Sequence, residues 1–522
     1  MIIIIHSRGQ SVKRVLKDEK VLQIKSTTCD SALWELAEKF PDELIAWVED
    51  SILNQVNFSK WKNIFHHQLI MASYSIKTRF FSDKIGYIDQ SPYINVNRKV
   101  SYGTWQMGSD VGGIHASVLL RFKSLFSEIK NFDYLLNSIG KIGQENGLFC
   151  YHEPRLIKNG SAEALPKASN QELFAFVYQH YSSAWIFVLF WCFLKYEKSF
   201  PLVSFLRSFF NKKYFQASVD FSEIEIQSSK KLDTSSEIDV VIPTMGRTQH
   251  LIQVVKDLSR QTLLPKKIII VEQNPDPNSK TELAELFIQQ WPFEIVHHFI
   301  HQTGACNARN LALTEVNSDW VFLLDDDVRL EIDVLENLMK ETKLLGSEVL
   351  SLSCLQKNEK KFFTQIKQWG TFGSGTSIVK KSALEGVRFS TVFEHGYGED
   401  RDFGMQLRYK GIDVVYHPDI EILHLKAPMG GFRKKIEMEW EQENPQPKPS
   451  PTIMAFAMLH NTEEQIKGYK TSLFLKFYKN QPIKNPFKYI SEMKKRWNIS
   501  QEWAQKLLIM NPERVKFIRN ER

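Results

Sequence analysis

The residues best suited to chemistry in this chain are Asp325, Asp326 and Asp327, three consecutive carboxylates after the apolar run Trp320-Val321-Phe322-Leu323-Leu324. Left unpaired, such charges repel one another and resist burial. Placed at the mouth of a buried strand, they call for a cation. Carboxylate oxygens are the donors that hard divalent ions take.

The elements around the triad read as alternating strands and helices. Asp239-Val240-Val241-Ile242 is an expected strand, ended by Pro243 and turned at Gly246. Residues 249 to 261 have helical periodicity, and Lys267-Ile268-Ile269-Ile270-Val271 is a second strand, ended by Glu272. Residues 293 to 299 form a third, 304 to 316 a helix, and 320 to 324 a fourth strand. Continuous apolar strands separated by helices predict a central, mostly parallel sheet covered on both faces. In such sheets ligands bind at the carboxyl ends of the strands, where Pro243, Thr244, Glu272 and the triad all fall.

At 522 residues the chain has room for two or three cores, and its composition, 43% hydrophobic and 24% charged, is that of a globular protein. Five scattered cysteines with no CxxC pair argue against a structural zinc site and a disulfide scaffold, and fit a reducing compartment. The opening Met1-Ile2-Ile3-Ile4-Ile5 is too short for a signal peptide and reads as a buried strand. Residues 173 to 194 lack Asp, Glu, Lys and Arg, but their unbroken apolar core, 184 to 194, is 11 residues long. That favours a buried or interfacial helix over a membrane span. The net charge of +7 is concentrated at the end: from Gln465 onward there are 14 Lys/Arg against 4 Glu, with aromatic residues interleaved. This tail reads as a solvated helical region, an anionic membrane contact or a surface for a phosphate-bearing acceptor. No nucleic-acid module accompanies it.

The central zone resembles the family 2 glycosyltransferases of GT-A fold, across about a third of the chain. Val241-Ile242-Pro243-Thr244 resembles the family's first strand and turn, which meet the nucleotide, with Arg247 just beyond; Glu272 resembles its base-binding acid. Gly304-Ala305-Cys306-Asn307-Ala308-Arg309-Asn310 resembles the stretch that opens a helix towards the donor diphosphate. Helix N-termini favour anions, and Arg309 would add a charged fork. The triad fits the family's Asp-x-Asp. The resemblance implies that Asp327 ligates Mn2+ or Mg2+ directly, that Asp325 reaches the ribose or the metal, that Asp326 lies in the nucleotide-sugar site, and that His424 completes the metal shell. Gly373-Ser374-Gly375 resembles the small-residue strand beside the donor sugar, and Trp369 could stack on a sugar or sit in the core. Tyr397-Gly398-Glu399-Asp400 resembles the Glu-Asp motif before a helix, which implies Asp400 as the general base and Glu399 as its positioner or an acceptor contact. The same acids would also favour the helix start.

The first zone echoes this one. Residues 2 to 15 match 240 to 254, 44 to 51 match 321 to 327, Trp105 to Gly113 matches Trp369 to Gly375, and Tyr151-His152 matches Tyr416-His417. By this alignment His6-Ser7 replaces Pro243-Thr244, Ser51 replaces Asp327, and residues 137 to 143 stand where the Glu-Asp pair would be.

The expected organisation is a degenerate GT-A-like, non-catalytic domain at 1–160, a helical linker at 161–232, a catalytic GT-A domain at 233–430 and a basic helical region at 431–522. The expected activity is metal-dependent, inverting transfer from a nucleoside-diphosphate sugar to a glycan or lipid-linked acceptor, in bacterial polysaccharide synthesis. It would act in the cytoplasm or at the inner membrane face. Two other readings stand beside it. One is a nucleotide-sugar-binding scaffold without turnover, against which the complete set of Arg309, Asp325, Asp327 and Asp400 speaks. The other is a nucleotidyltransferase, which would carry a glycine-rich basic loop that residues 243 to 249 lack.

Overall fold

Valine- and isoleucine-rich runs favour burial on both faces, and the central strands of the two sheets are built from them. The computed structural model describes residues 1–158, 167–232, 235–427 and 437–512. The chain divides into two units, Met1–Lys230 with Asn461–Lys484, and Lys231–His460 with Asn485–Arg522. The tail is therefore not a region of its own. Helix Glu463–Phe477 falls wholly in the first unit and helix Pro486–Ile509 in the second.

In the first unit the strands are β1 (Ile2–Ser7), β2 (Ser11–Lys17), β3 (Lys20–Leu22), β4 (Leu44–Glu49), β5 (Ile70–Tyr74), β6 (Tyr102–Gly103), β7 (Val111–His115) and β8 (Phe149–His152). They lie in the order β3-β2-β1-β4-β7-β5-β8-β6. In the second they are β9 (Ile238–Thr244), β10 (Lys267–Gln273), β11 (Glu294–Ile300), β12 (Trp320–Leu324), β13 (Val328–Leu330), β14 (Val349–Leu355), β15 (Lys367–Gln368), β16 (Thr376–Lys380) and β17 (Val415–His424). Their order is β11-β10-β9-β12-β16-β14-β17-β13, with β15 also on β17. The predicted parallel run is β11-β10-β9-β12. Beyond it the sheet is mixed, because β16 enters antiparallel to both β12 and β14. The four expected strands are present, β12 with the expected bounds and the other three shifted or extended by one to three residues. The core between this sheet and its helices includes Val241, Ile269, Leu323, Phe372 and Phe403.

The two sheets share six strands. β1, β4, β7, β5, β8 and β6 pair with the same neighbours, in the same sense, as β9, β12, β16, β14, β17 and β15. The register agrees as well. Ile3, Ala46, Gly113, Ala72, Tyr151 and Gly103 link across the first sheet as Val241, Leu323, Ser377, Ser351, Tyr416 and Lys367 link across the second.

That register corrects the alignment read from the sequence. Ile5-His6, not His6-Ser7, stands at Pro243-Thr244, and Asp50, not Ser51, stands at Asp327. Asp133, not a residue of 137 to 143, stands at Asp400: each is the second residue of its helix, Phe132–Glu145 or Glu399–Tyr409. What the first unit lacks is the outer half. The short antiparallel hairpin β2-β3 stands where β10 and β11 run parallel to β9.

Candidate functional site

The site gathers at the carboxyl ends of β9 and β12 and at the start of helix Glu399–Tyr409. The three triad members have three different surroundings. Asp326 is buried and fixed from two sides: Thr244 Oγ1 donates to it at 2.7 Å and Arg247 Nη1 at 2.6 Å. It holds the β9 turn against β12. Thr244 and Arg247 are committed to the same contact, and Arg247 also lies 3.3 Å from Asp327.

Asp327 accepts from the Ala427 backbone N–H at 3.0 Å and lies 3.5 Å from His424 Nε2. Burial raises its pKa, but His424, Arg247 and the Ala427 N–H more than offset this and bring it down to about 2. Asp325 is the open one, with its side chain 40% exposed, and it accepts from Arg309 Nη2 at 3.1 Å. A Cβ on Gly375 would lie 2.2 Å from the Asp325 carboxylate. The glycine read as leaving room for a ligand thus leaves room for Asp325.

A divalent cation fits this donor set in part. Asp327 and His424 already face each other, and Asp325 leaves the same strand end. Two carboxylates and an imidazole suit manganese, and the carboxylates alone suit magnesium. Among the described residues no three His, Cys, Asp or Glu side chains are gathered tightly enough to hold an ion, and Asp325 is paired with Arg309.

Arg309 is buried, and its Nε has no partner. Burial lowers its pKa, yet Asp325 and then Asp400 raise it further, so the guanidinium stays charged between two carboxylates. The helix it sits on, Ala305–Thr314, was expected to turn its N-terminus to a diphosphate. Instead Glu394 occupies that end, accepting from Cys306 N at 3.0 Å and Asn307 N at 2.8 Å. The free N–H groups and the helix dipole are answered by the chain's own carboxylate. Gly304, at φ +140°, is required there because a Cβ would lie 2.3 Å from Glu394.

Glu272 is likewise committed. It accepts from Thr281 Oγ1 at 2.6 Å and Glu282 N at 2.9 Å, and His297 Nε2 lies 2.9 Å away. Its carboxylate ties β10 to β11 and the following loop, and it is only 5% exposed. Pro243 ends β9 half-buried. Trp369 is half-buried at the core edge, 5.3 Å from the Tyr416 ring.

Glu399 and Asp400 open their helix side by side. Ser374 N donates to Asp400 Oδ1 at 3.2 Å. Burial raises the pKa of Asp400, against the pull of Arg309 and Ser374. Burial, and then the Asp400 charge, push Glu399 up to about 7. One turn on, buried Asp402 lies 2.8 Å from His460 Nε2 and accepts from Gln406 Nε2. His460 belongs to helix Pro451–His460, so this pair braces the Glu399 helix from behind. Sequence reasoning missed both Glu394 and the Asp402–His460 pair, since their partners lie tens of residues away.

The first unit repeats part of this geometry with other groups. His6 Nδ1 is 3.2 Å from Glu49, the counterpart of the Thr244–Asp326 contact. Ser109 N donates to Asp133 Oδ1 at 3.1 Å, as Ser374 N does to Asp400. Val48 stands where Asp325 does, and helix Cys29–Lys39 has no basic residue before Lys39.

Nearby Asp110 is buried with Oδ1 unpartnered, while Oδ2 accepts from Ile76 N at 2.7 Å. Burial pushes it up to about 6. A folded pKa above the unfolded value of about 3.9 means that stability falls as pH rises through that window. Asp110→Asn should therefore raise the unfolding free energy from urea melts at pH ~7.5 by about 1–2 kcal/mol, and match the wild type near pH ~4. Destabilisation at the higher pH would refute this reading.

Residues 239–392 match the family model described as Glycosyl transferase family 2. A GalNAc(5)-diNAcBac-PP-undecaprenol beta-1,3-glucosyltransferase of Campylobacter jejuni is 25% identical over 211 residues, 36% of this chain and 65% of that protein. The uncharacterized glycosyltransferase YwdF of Bacillus subtilis is 30% identical over 105 residues, 20% of this chain and 38% of its own. The chain thus spans less than two thirds of these relatives' lengths. Among solved structures, S. aureus TarS 1–349 in complex with UDP-GlcNAc aligns at a TM-score of 0.34 and 15% identity, covering 55% of this chain and 88% of that one. The domain over residues 239–392, which carries Arg309 and the Asp325–Asp327 triad, belongs to glycosyl transferase family 2.

Proposed function

We propose that the second unit transfers a sugar, with inversion, from a nucleoside-diphosphate sugar to a glycan or lipid-linked acceptor in bacterial polysaccharide synthesis. The observation that carries this is the charge arrangement around Arg309, a buried guanidinium between Asp325 at the triad and Asp400 at the Glu399 helix. It sets a diphosphate-binding charge beside a carboxylate able to accept a proton. A bound Mn2+ or Mg2+, held by Asp327, Asp325 and His424, would neutralise the charge that builds on the departing nucleoside diphosphate.

In this reading Asp400 takes the acceptor hydroxyl proton while the anomeric carbon is attacked. Ser374 fixes its carboxylate, and the Asp402–His460 pair fixes its helix. Glu399 positions the acceptor, and the open face of Trp369 packs on a sugar. Pro243 and Gly375 shape the donor side, Gly375 by giving Asp325 its space. The first unit fits a degenerate frame that binds or orients rather than reacts, since it has Val48 at the Asp325 position and lacks the parallel outer strands. Peripheral membrane contact at the inner membrane face belongs to the same proposal. Among the described residues no helix is long and apolar enough to cross a membrane.

The test is a panel of nucleoside-diphosphate sugars with Mn2+ or Mg2+, assayed for nucleoside diphosphate release with and without lipid-linked oligosaccharide. Release with one donor, accelerated by acceptor, is expected. No release with any donor would overturn the reading.

The pair Glu399 and Asp400 also sets a pH profile. Its acid limb in kcat/KM should have a midpoint near pH 7, where Glu399 titrates. Glu399→Gln removes a like charge beside Asp400 and should shift that limb to lower pH. An unmoved limb would separate Glu399 from the titration.

A further inference from the structure

Helix Ala184–Cys192 has no polar residue before Cys192, and although helices Asn170–His180 and Glu463–Phe477 both pack on it, it is not fully covered. Ile186, Leu189 and Phe193 are buried against the preceding helix, Asn170–His180. The other side presents Phe187 and Trp191, each more than half exposed. The chain turns at Pro201 into helix Leu202–Ser208, which adds Val203 and Leu206, with Phe200 before it and Phe210, 90% exposed, after it. Ring contacts tie the aromatic residues of the two helices together. The Phe187 ring lies 5.5 Å from Phe205, Phe190 lies 4.7 Å from Phe205 and 5.6 Å from Phe200, and Phe205 lies 5.1 Å from Phe209. A contiguous apolar face of this kind marks an interaction site.

The surrounding charge identifies the partner. From Lys195 to Lys213 there are five cations, Lys195, Lys198, Arg207, Lys212 and Lys213, and one acid, Glu197. That acid is already taken, accepting from Tyr87 at 2.7 Å and pairing with Lys84 at 3.0 Å. From the tail, Lys476 Nζ sits 5.2 Å over the Trp185 ring, and Lys213 lies 4.5 Å over Tyr178. Aromatic side chains ringed by lysines suit the boundary between acyl chains and anionic headgroups. A second copy fits poorly, because an isologous contact would press one basic rim against another. A span is excluded by length: even with the π-helical turn Phe193–Glu197 that continues it, the helical stretch rises only about 20 Å, short of the roughly 30 Å hydrocarbon core.

We propose that this face, formed by residues 184–213 and rimmed by Lys476, docks in the plane of an anionic bilayer. The proposal does not depend on the transfer reading. It moves the membrane contact from the basic tail to an aromatic face of the first unit, with the tail supplying part of the rim.

The experiment is sedimentation of the full chain with vesicles of phosphatidylcholine and phosphatidylglycerol, against vesicles of phosphatidylcholine alone. Binding is expected to the anionic vesicles and to weaken with salt. Phe187→Ser with Phe210→Ser, and separately Lys212→Glu with Lys213→Glu, should each reduce the bound fraction about tenfold or more while melting as the wild type does. If either pair fails to fold, brominated phosphatidylglycerol decides: it should quench tryptophan emission in the wild type and quench it less in Trp191→Phe. Absence of binding, unchanged binding in both folded pairs, or equal quenching in Trp191→Phe would overturn the proposal. So would a dimer in solution that these substitutions dissociate, which would assign the face to a second copy.

Discussion

Asp400→Asn is expected to lower kcat for sugar transfer by about 10²–10⁴-fold while leaving the donor KM close to the wild-type value. Asparagine keeps the shape of the side chain and can still accept from Ser374 N, so the helix start should survive. What is lost is a group able to take the acceptor proton. The first unit supplies a control of the same chemistry. Asp133 is also the second residue of its helix and also accepts a backbone N–H from the loop before its neighbouring strand, yet it is outside the proposed reaction. Asp133→Asn should change kcat less than about threefold, though stability can respond, because burial pushes this carboxyl up to about 6. Steady-state kinetics of the two variants separate the roles. Equal activities in Asp400→Asn and the wild type would remove Asp400 from the mechanism, and a collapse in Asp133→Asn alone would place the reaction in the wrong unit.

Asp327→Ala should be about as damaging, through a different parameter. It deletes the carboxylate that faces His424 and also leaves Arg247 with one acidic neighbour instead of two. Donor turnover should fall by about 10³-fold or more, and stimulation by added Mn2+ should disappear. His424→Ala should lose less and retain Mg2+ stimulation better than Mn2+ stimulation, since imidazole prefers the softer ion. Titrating metal against activity in both variants measures this. Undiminished Mn2+ stimulation in Asp327→Ala would detach the triad from metal binding.

The frame of the second unit was legible because its signals are local. Apolar runs ending in Pro243, Glu272 and Asp325 announce strand ends, and strand ends in such sheets converge. What was not legible is how each polar side chain is spent. Asp326 meets Thr244 and Arg247 from about 80 residues away, and Glu394 meets Cys306 from 88. Nothing in the residue types of Glu272 or Asp326 announces which side chains of neighbouring elements they meet. The echo in the first unit was visible as composition but was read one residue out of register at both β1 and the acidic turn. Register belongs to pairing, and a single strand carries no mark of its partner's alignment.

The Glu394 contact also has a mechanical meaning. Five residues after the carboxylate that closes the Ala305 helix, the chain reaches Glu399 and Asp400. Between them lie His395 at φ +58°, Gly396, and Gly398 at φ +121°. The stretch bearing the proton acceptor is thus moored to the helix bearing Arg309, on a tether too short to let either move far alone. In the proposed reaction, donor grip and acceptor activation would be geared together, and a loop that swung out to admit a bulkier acceptor would first have to slip its mooring and leave two helix N–H groups bare.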